Sequence, residues 1–411
     1  MLYFCGYKAY SMNRLILIGN GFDLAHKIKT SYSDFLLDYL KDAFIHSRDH
    51  GKYEDEFLVV VQNSNFDDQL NDPYIINWEL TNFFGYISQD ESFGITVSGN
   101  VIRKKTFEYH LIIKNNLISA LISSYKDFNW VDIENEYYKI LCELSSKNKI
   151  KEIKELNKGF KFLQDLLYKY LVKVEEEHLS KISDISKSKL INQLLEDIMH
   201  NAAPKITRAP RISNLSSDQN NIRKEKGPKP SSILFLNFNY TSTVEKYVKE
   251  IQKKVSKTDI IYIHGKLKDI DNPMVFGYGD EEETNFEVLE KYNECLEYVK
   301  TYWYLRTNNY ENFLKFIDSD DFEVYIMGHS CGMSDKTMLS SIFNNERCKK
   351  IKILTYDKSF GAKDLAINTT NYIEMTYQIG RLFKNKADLR KKIISFNVND
   401  LLKLDFDVAN F

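Results

Sequence analysis

The sequence predicts an α/β protein with a mostly parallel sheet and a large helical insertion. Three observations support this fold class. An apolar run at 14–18 ends in a glycine turn, which is typical of a buried parallel strand. After residue 231, short apolar runs alternate with helical segments. Between these two parts, residues 41–200 are mainly helical in their apolar spacing and contain few strand signals.

The strands of the predicted sheet come from both ends of the chain. The run at 14–18 is followed by helical spacing over 22–40, with Thr30 and Ser33 as candidate helix starts. Later apolar runs predict strands at 232–238, 259–264, 274–276, 323–327 and 350–356. We therefore assign residues 12–40 and 232–411 to one α/β core, interrupted by the helical insertion at 41–200.

A proline-rich basic segment separates the insertion from the second part of the core. Residues 201–231 hold most of the prolines of the chain, have few apolar residues and have more basic than acidic ones. This composition predicts a flexible loop. A basic arm that binds nucleic acid is the alternative interpretation.

The charge, the apolar stretches and the cysteines of the sequence limit which kinds of partner the protein is expected to bind. The net charge of −2 provides no general attraction for nucleic acid or for an anionic membrane. No apolar stretch reaches the roughly 18 residues of a membrane helix. The five cysteines are scattered and form no C-x-x-C pair, which favours a reducing cytoplasm and argues against a zinc ribbon. We expect a cytoplasmic protein that binds a small-molecule nucleotide, uses no metal and can form homo-oligomers.

The first candidate site is the glycine turn after the first strand, Gly19-Asn20-Gly21-Phe22-Asp23. Glycines at this place let a ligand approach the backbone, and N–H groups at the start of the next helix can hold a phosphate. Asp23 would repel a phosphate, so we expect it to accept hydrogen bonds from ribose hydroxyls instead. The alternative is a tight turn that only packs the helix on the sheet.

Two further polar groups follow predicted strands. Asn239 and Thr241 follow the strand at 232–238, and His264 with Gly265 follows the next. Because parallel strands end at one edge of a sheet, these side chains should converge. Histidine can act as a general base near neutral pH, and an amide can orient a hydroxyl or a water molecule.

The turn GHSCG after the strand at 323–327 has the form G-x-S-x-G, the nucleophile elbow of α/β hydrolases. That triad needs a histidine after the serine in the chain, and no histidine follows Ser330. The chain order therefore disfavours an esterase. We expect Gly328, Ser330 and the nearby Asp335 to bind substrate.

Acidic residues leave a nuclease hypothesis open. In WVDIENE, Asp132 is a candidate cap of a helix over 135–144, and Glu134 is too close in sequence to share its helix face. Those two carboxylates alone make a poor metal site. A Mg²⁺-dependent nuclease would add Asp23 and Asp335.

The sequence blocks together resemble the bacteriophage abortive-infection AbiH family. They span roughly residues 13–336 in that family's order and read LILIGNGFDLAHKIKTSYSDF, WVDIENEYY, FLNFNYT, YIHG, VFGYG and GHSCGMSD. The resemblance implies a role in defence against phage, with a phage or host protein as a trigger.

The same order of blocks is similar to sirtuin-like (Rossmann-type) domains that cleave NAD. That resemblance implies NAD as substrate, Asn239 and His264 as catalytic residues, and a nucleotide-contacting set of Gly19, Asn20, Gly21, Asp23, Thr241, Gly328, Ser330 and Asp335. The sequence departs from the sirtuin-like pattern at Asn20, at Phe22-Asp23 and at Thr241, where an aspartate is common.

The leading functional hypothesis is therefore a defence protein that cleaves the nicotinamide–ribose bond of NAD. His264 would activate a ribose hydroxyl or a water molecule, and Asn239 would position both. A nucleotide-sensing module that binds without turnover and acts through a protein partner is the alternative from another class, and the nuclease is the third.

Overall fold

The structure is a computed structural model that describes residues 12–62, 101–104, 107–123, 130–179, 189–199, 229–279, 286–355, 370–397 and 401. The strands in these ranges are β1 (Asn13–Ile18), β2 (Lys52–Glu54), β3 (Leu58–Gln62), β4 (Val101–Lys104), β5 (Phe107–Ile113), β6 (Ile233–Asn237), β7 (Thr258–Tyr262), β8 (Phe322–Met327) and β9 (Cys348–Leu354). They form one parallel and one antiparallel sheet.

The helices of the described ranges surround these sheets. They are α1 (Asn20–Ala25), α2 (Tyr32–His50), α3 (Asn116–Ser123), α4 (Trp130–Ser146), α5 (Ile150–Leu179), α6 (Lys189–Met199), α7 (Glu245–Gln252), α8 (Phe286–Leu289), α9 (Asn293–Leu296), α10 (Lys300–Tyr304), α11 (Asn309–Ser319), α12 (Lys336–Phe343), α13 (Tyr372–Leu382) and α14 (Lys386–Lys392). Among the described residues, no helix is both long and apolar enough to cross a membrane.

The parallel sheet has five strands in the order β7-β6-β1-β8-β9. Numbered by chain order within this sheet, the strands run 3-2-1-4-5, so the direction of progression reverses at β1. In doubly wound sheets, ligands bind beyond the carboxyl ends of the strands at this reversal. The predicted α/β class with a mostly parallel sheet is confirmed.

Both faces of the parallel sheet are covered. Every residue of β1 is buried. Leu15 and Leu17 pack into one apolar cluster, whereas Ile16 and Ile18 pack into another on the opposite face. Side chains alternate between the two faces of a strand, so a continuous apolar run is what a strand covered on both sides requires.

Five of the six predicted core strands are present, with ends that differ by one or two residues. The strand predicted at 274–276 is wrong. This segment is a loop whose Val275 N–H donates to the His264 carbonyl oxygen at 2.7 Å. The helical spacing predicted over 22–40 corresponds to two helices, since α1 ends at Ala25 and α2 begins at Tyr32. Ser31, between the two candidate starts, caps α2 through the Asp34 N–H.

Within its described residues, the segment predicted as an insertion contains the end of α2, helices α3 to α6 and a small sheet that the sequence did not predict. This antiparallel sheet has the order β2-β3-β5-β4. Helix α4 begins at Trp130, so Asp132 lies in its first turn and is not the predicted cap of a helix at 135–144. Most of the predicted loop at 201–231 lies outside the described residues.

Glycines join the loop after β1 to the turn after β8. The Gly21 N–H donates to the Gly328 carbonyl oxygen at 2.8 Å. Gly328 has a φ of +70°, and a Cβ at this position would lie 2.1 Å from the Phe22 nitrogen. A Cβ at Gly19 would lie 2.4 Å from the His329 Cα. The backbones of the two loops can therefore approach this closely only without side chains at these positions.

We predict that Gly328→Ala destabilises the fold by about 2–4 kcal/mol, because it adds both a left-handed φ and an overpacked contact. Urea unfolding followed by circular dichroism measures the change. Gly380→Ala in α13 is the matched control. Its Cβ would meet only Leu389 at 3.7 Å, and replacing a helical glycine should stabilise by about 0.5–1 kcal/mol. Equal stability of the two variants would contradict the close packing of the loops.

Candidate functional site

A cleft of about 650 Å³ opens at the carboxyl ends of the parallel strands. Every residue that the sequence predicted to contact ligand or to act in catalysis lines it: Gly19, Asn20, Gly21, Asp23, Asn239, Thr241, His264, Gly328, Ser330 and Asp335. The chain reaches the cleft from four loops, each of which follows a strand of the sheet. The topology thus brings the predicted residues together; their roles in binding and catalysis stay predictions.

Asp335 is the centre of a buried polar cluster in this cleft. Its Oδ1 lies 3.1 Å from His264 Nε2 and 3.1 Å from Lys300 Nζ. Its Oδ2 lies 3.7 Å from His329 Nε2. The carboxyl is 9% exposed, so these contacts take place away from bulk water.

Lys300 extends the cluster to a second carboxyl. Its Nζ lies 2.9 Å from Glu134 Oε2, and the other oxygen of Glu134 accepts the Gly277 N–H at 3.3 Å. Glu134 comes from α4, within the predicted insertion, and Lys300 begins the short helix α10. The sequence did not identify Lys300, because it lies in no motif, and named Glu134 only for the nuclease.

Burial and the charges of neighbouring side chains together determine the protonation states of Asp335, Lys300 and Glu134. Burial alone would raise the pKa of Asp335, but Lys300 and His264 lower that pKa below its usual range. Burial would likewise lower the pKa of Lys300, but the carboxyls of Asp335 and Glu134 raise it. Burial raises the pKa of Glu134, and Lys300 opposes this. Near neutral pH, Asp335 is therefore ionised and Lys300 is charged.

His264 is held in a defined orientation. An ionised Asp335 only accepts hydrogen bonds, so Nε2 of His264 must carry the hydrogen that it donates. In the part of the chain that the structure describes, no side chain or backbone group bonds to Nδ1. Phe238 meets the ring edge-on with centroids 5.2 Å apart, and Tyr304 stacks at 6.1 Å. The Nδ1 lone pair is thus available to a substrate.

The second histidine of the cleft has a different state. The Cys331 N–H donates to His329 Nδ1 at 2.9 Å, which leaves the hydrogen of the neutral ring on Nε2. Burial lowers the pKa of His329 to about 4 despite the neighbouring Asp335 carboxylate. His329 therefore stays neutral near pH 7 and supports the turn after β8.

Asn239 ties the end of β6 to the glycine loop. Its backbone N–H donates to Asn237 Oδ1 at 3.1 Å, and its side-chain Nδ2 donates to the Gly19 carbonyl oxygen at 3.0 Å. Asn20 has a comparable role on the other side of the loop, where its Nδ2 donates to the Thr30 carbonyl oxygen at 3.1 Å. The amides therefore fix the shape of the loop that lines the cleft.

Asp23 is a third buried carboxyl in the cleft. The Thr241 hydroxyl donates to its Oδ2 at 2.5 Å. Its Oδ1 is buried without a hydrogen-bond partner among the described residues. Burial raises the pKa of Asp23 to about 7, although the Thr241 hydroxyl opposes the shift. A ligand hydroxyl or amine that reached Oδ1 would satisfy this atom.

Comparison with known proteins identifies the family. The sequence model described as "Bacteriophage abortive infection AbiH" matches residues 15–357, which is most of the chain. The chain belongs to the AbiH family. No curated protein gives a significant match. Family membership associates this protein with abortive infection in the defence against bacteriophage.

In this AbiH protein, Ser330 lacks the partner that a nucleophilic serine needs. Its side chain is exposed, and among the described residues it has no hydrogen bond to a histidine. The structure thus agrees with the chain order in disfavouring an esterase triad. The Gly21 N–H, which could have held a phosphate, is instead bonded to Gly328.

The carboxylates of the nuclease hypothesis are also arranged differently from a metal site. Glu134 and Asp335 share the ammonium of Lys300, and Asp23 bonds to Thr241. Across the described residues, no group of three or more histidine, cysteine, aspartate or glutamate side chains is placed to hold a metal ion. The cation that two buried carboxylates require is provided by the protein itself.

We predict that Asp23→Asn becomes more stable relative to the wild type as pH rises. The wild-type carboxyl binds its proton more tightly when folded, so its folded state is destabilised as pH rises from 3.8 through about 7. Between pH 5 and pH 8 the difference should grow by roughly 2–3 kcal/mol. Urea unfolding at both pH values measures it, with exposed Asp165→Asn as control. A difference independent of pH would show that Asp23 is ionised throughout.

Proposed function

We propose that this abortive-infection protein hydrolyses NAD at the nicotinamide–ribose bond in the cleft. The observation that carries the proposal is the pair His264 and Asp335. Asp335 orients the imidazole, and His264 lines the same cleft as Asn239 and the glycine loop. A fixed imidazole with a free nitrogen is suited to act as a general base.

Three further features support a dinucleotide as the substrate. The cleft lies where the strand order 3-2-1-4-5 reverses, which is where dinucleotides bind in Rossmann-type sheets. The sequence blocks that contribute Gly19, Asn239 and His264 are similar to those of NAD-cleaving sirtuin-like domains. The buried Oδ1 of Asp23 would accept a hydrogen bond from a ribose hydroxyl.

The proposed reaction converts NAD and water into ADP-ribose, nicotinamide and a proton. The bond between C1′ of the ribose and the nicotinamide nitrogen breaks, and its electron pair leaves with nicotinamide. Water then forms a bond to C1′ and loses its proton to Nδ1 of His264. Asn239 would hold the water and the ribose, and no nucleophilic side chain is required.

The direct test incubates purified protein with NAD and measures free nicotinamide and ADP-ribose by chromatography, with and without EDTA. We expect equal amounts of both products and no effect of EDTA. Binding of NAD without product would favour the sensing module, because a sensor needs affinity and no turnover. Cleavage of nucleic acid that EDTA abolishes would favour the nuclease.

We predict that Asn239→Ala and His264→Ala each lower the rate of nicotinamide release by about 10²–10⁴, the usual contribution of a positioned general base. The double variant should lose little more, since the two residues act on one step. His50→Asn, which removes an exposed imidazole at the end of α2, is the matched control and should keep full activity.

These variants also test the role in phage defence. Infected cells should lose NAD with the wild type and keep it with His264→Ala, and protection should disappear together with the activity. Protection that persists in His264→Ala, or in wild-type cells whose NAD level is constant, would overturn the hydrolase mechanism.

We predict that Ser330→Ala weakens NAD binding, seen as a higher KM, and leaves the maximal rate within about threefold, because no imidazole activates this serine. The protein should also resist labelling by a fluorophosphonate probe. Covalent labelling of Ser330 would restore the esterase hypothesis.

A further inference from the structure

We propose that Lys300 is a positioning residue that holds Asp335 ionised, so that His264 keeps its hydrogen on Nε2 and its lone pair on Nδ1. The catalytic consequence rests on the proposed hydrolysis of NAD. The effect of Lys300 on the imidazole does not, and it can be measured without substrate.

The geometry makes Lys300 the bridge between two buried carboxyls. Its Nζ lies 3.1 Å from Asp335 Oδ1 and 2.9 Å from Glu134 Oε2, and its side chain is 3% exposed. Its backbone N–H donates to the Tyr278 carbonyl oxygen at 2.8 Å, which fixes the start of α10. The ammonium therefore contacts the same oxygen of Asp335, Oδ1, that accepts the hydrogen bond from His264.

The electrostatic environment of Asp335 leaves this role to Lys300. The titratable groups near Asp335 are Lys300, His264, His329, Glu134, Tyr240, Tyr304 and Cys331. His329 is neutral near pH 7, and the tyrosines and the thiol carry no positive charge. His264 also favours the carboxylate, through the hydrogen that it donates from Nε2, but Lys300 is the largest favourable influence on it, and loss of Lys300 moves the buried Asp335 toward its protonated form.

A protonated Asp335 would no longer determine which nitrogen of His264 carries the hydrogen. The acid can donate to Nε2 as readily as the carboxylate accepts from it. Donation to Nε2 moves the ring hydrogen to Nδ1 and removes the lone pair from that atom. Loss of Lys300 would therefore prevent His264 from acting as a base, although the histidine itself is not substituted.

Glu134 brings the insertion into this arrangement. Its Oε2 contacts Lys300, and its Oε1 accepts the Gly277 N–H. The same loop bonds to the His264 carbonyl oxygen through the Val275 N–H at 2.7 Å. One side chain of α4 is thus joined both to the cation and to the loop that supports the histidine.

The test uses ¹⁵N-labelled histidine and long-range ¹⁵N–¹H correlation spectra, which report which ring nitrogen carries the hydrogen. His264→Asn assigns the signal among the eight histidines. We expect the wild type to show a hydrogen on Nε2 at neutral pH. Lys300→Met should show a mixture or a hydrogen on Nδ1, and Lys300→Arg, which keeps the charge, should remain closer to the wild type.

Two further variants distinguish a specific effect on His264 from a general loss of folding. Lys352→Met is the matched control, since Lys352 is also a buried lysine in an ion pair, 3.0 Å from Asp197. It should leave the His264 signal unchanged. If Lys300→Met does not fold, the double variant Lys300→Met/Glu134→Gln removes the unpaired like charge as well, and the same change at His264 is expected.

Activity provides the second measurement. Lys300→Met should lower the kcat of nicotinamide release about tenfold or more, with a smaller change in KM. The acidic limb of kcat against pH should move to higher pH, because burial raises and Lys300 lowers the pKa of Asp335. A merely structural lysine would alter stability and leave this limb in place.

The two hypotheses fail separately. An unchanged His264 signal in a folded Lys300→Met variant, or in the folded double variant, overturns the positioning role whatever the activity. A wild type that releases no nicotinamide, combined with the expected change in the His264 signal, overturns the proposed hydrolysis and leaves the positioning role standing.

Discussion

The cleft depends on the position of β1 at the centre of the parallel sheet. Ile18, the last residue of β1, is in register with Asn237 on one side and Met327 on the other. The strands β6, β1 and β8 therefore end side by side, and the loops that follow them meet at this edge of the sheet. Without side chains at Gly19, Gly21 and Gly328, the backbones that follow β1 and β8 can touch. This pairing places the loops that carry Asp23, Asn239 and Asp335 around one cleft.

Sequence alone predicted those parts of the fold and the site that local patterns encode. The strand at 14–18 could be recognised because both its faces are buried, and His264 because it follows such a strand. The segment 274–276 resembles a strand in composition, but its backbone bonds to the loop after β7. Lys300 belongs to no pattern, and its partners Glu134 and Asp335 are 166 and 35 residues away in the chain. Contacts of that range arise only from the folded arrangement.

The site contains several groups that are unfavourable to bury. Asp23 keeps an unsatisfied oxygen, and Asp335 shares one oxygen between an imidazole and an ammonium. Replacing a buried ion pair by apolar residues is often neutral or stabilising, so stability alone does not explain such a cluster. An arrangement that holds charge ready for a reacting group does explain it, and perturbed carboxyls in a cleft are typical of such sites.

The insertion and the sheet share the walls of the cleft. Leu167 and Leu171 of α5 line the cleft, and α4 contributes Glu134. The apolar cluster of the insertion also includes Met274 and Phe276, from the loop that supports His264. A movement of α4 would separate Glu134 from Lys300 and shift Gly277 at the same time. A protein that bound the insertion and displaced this helix would therefore disturb both the ion pair of Lys300 and the loop that supports His264.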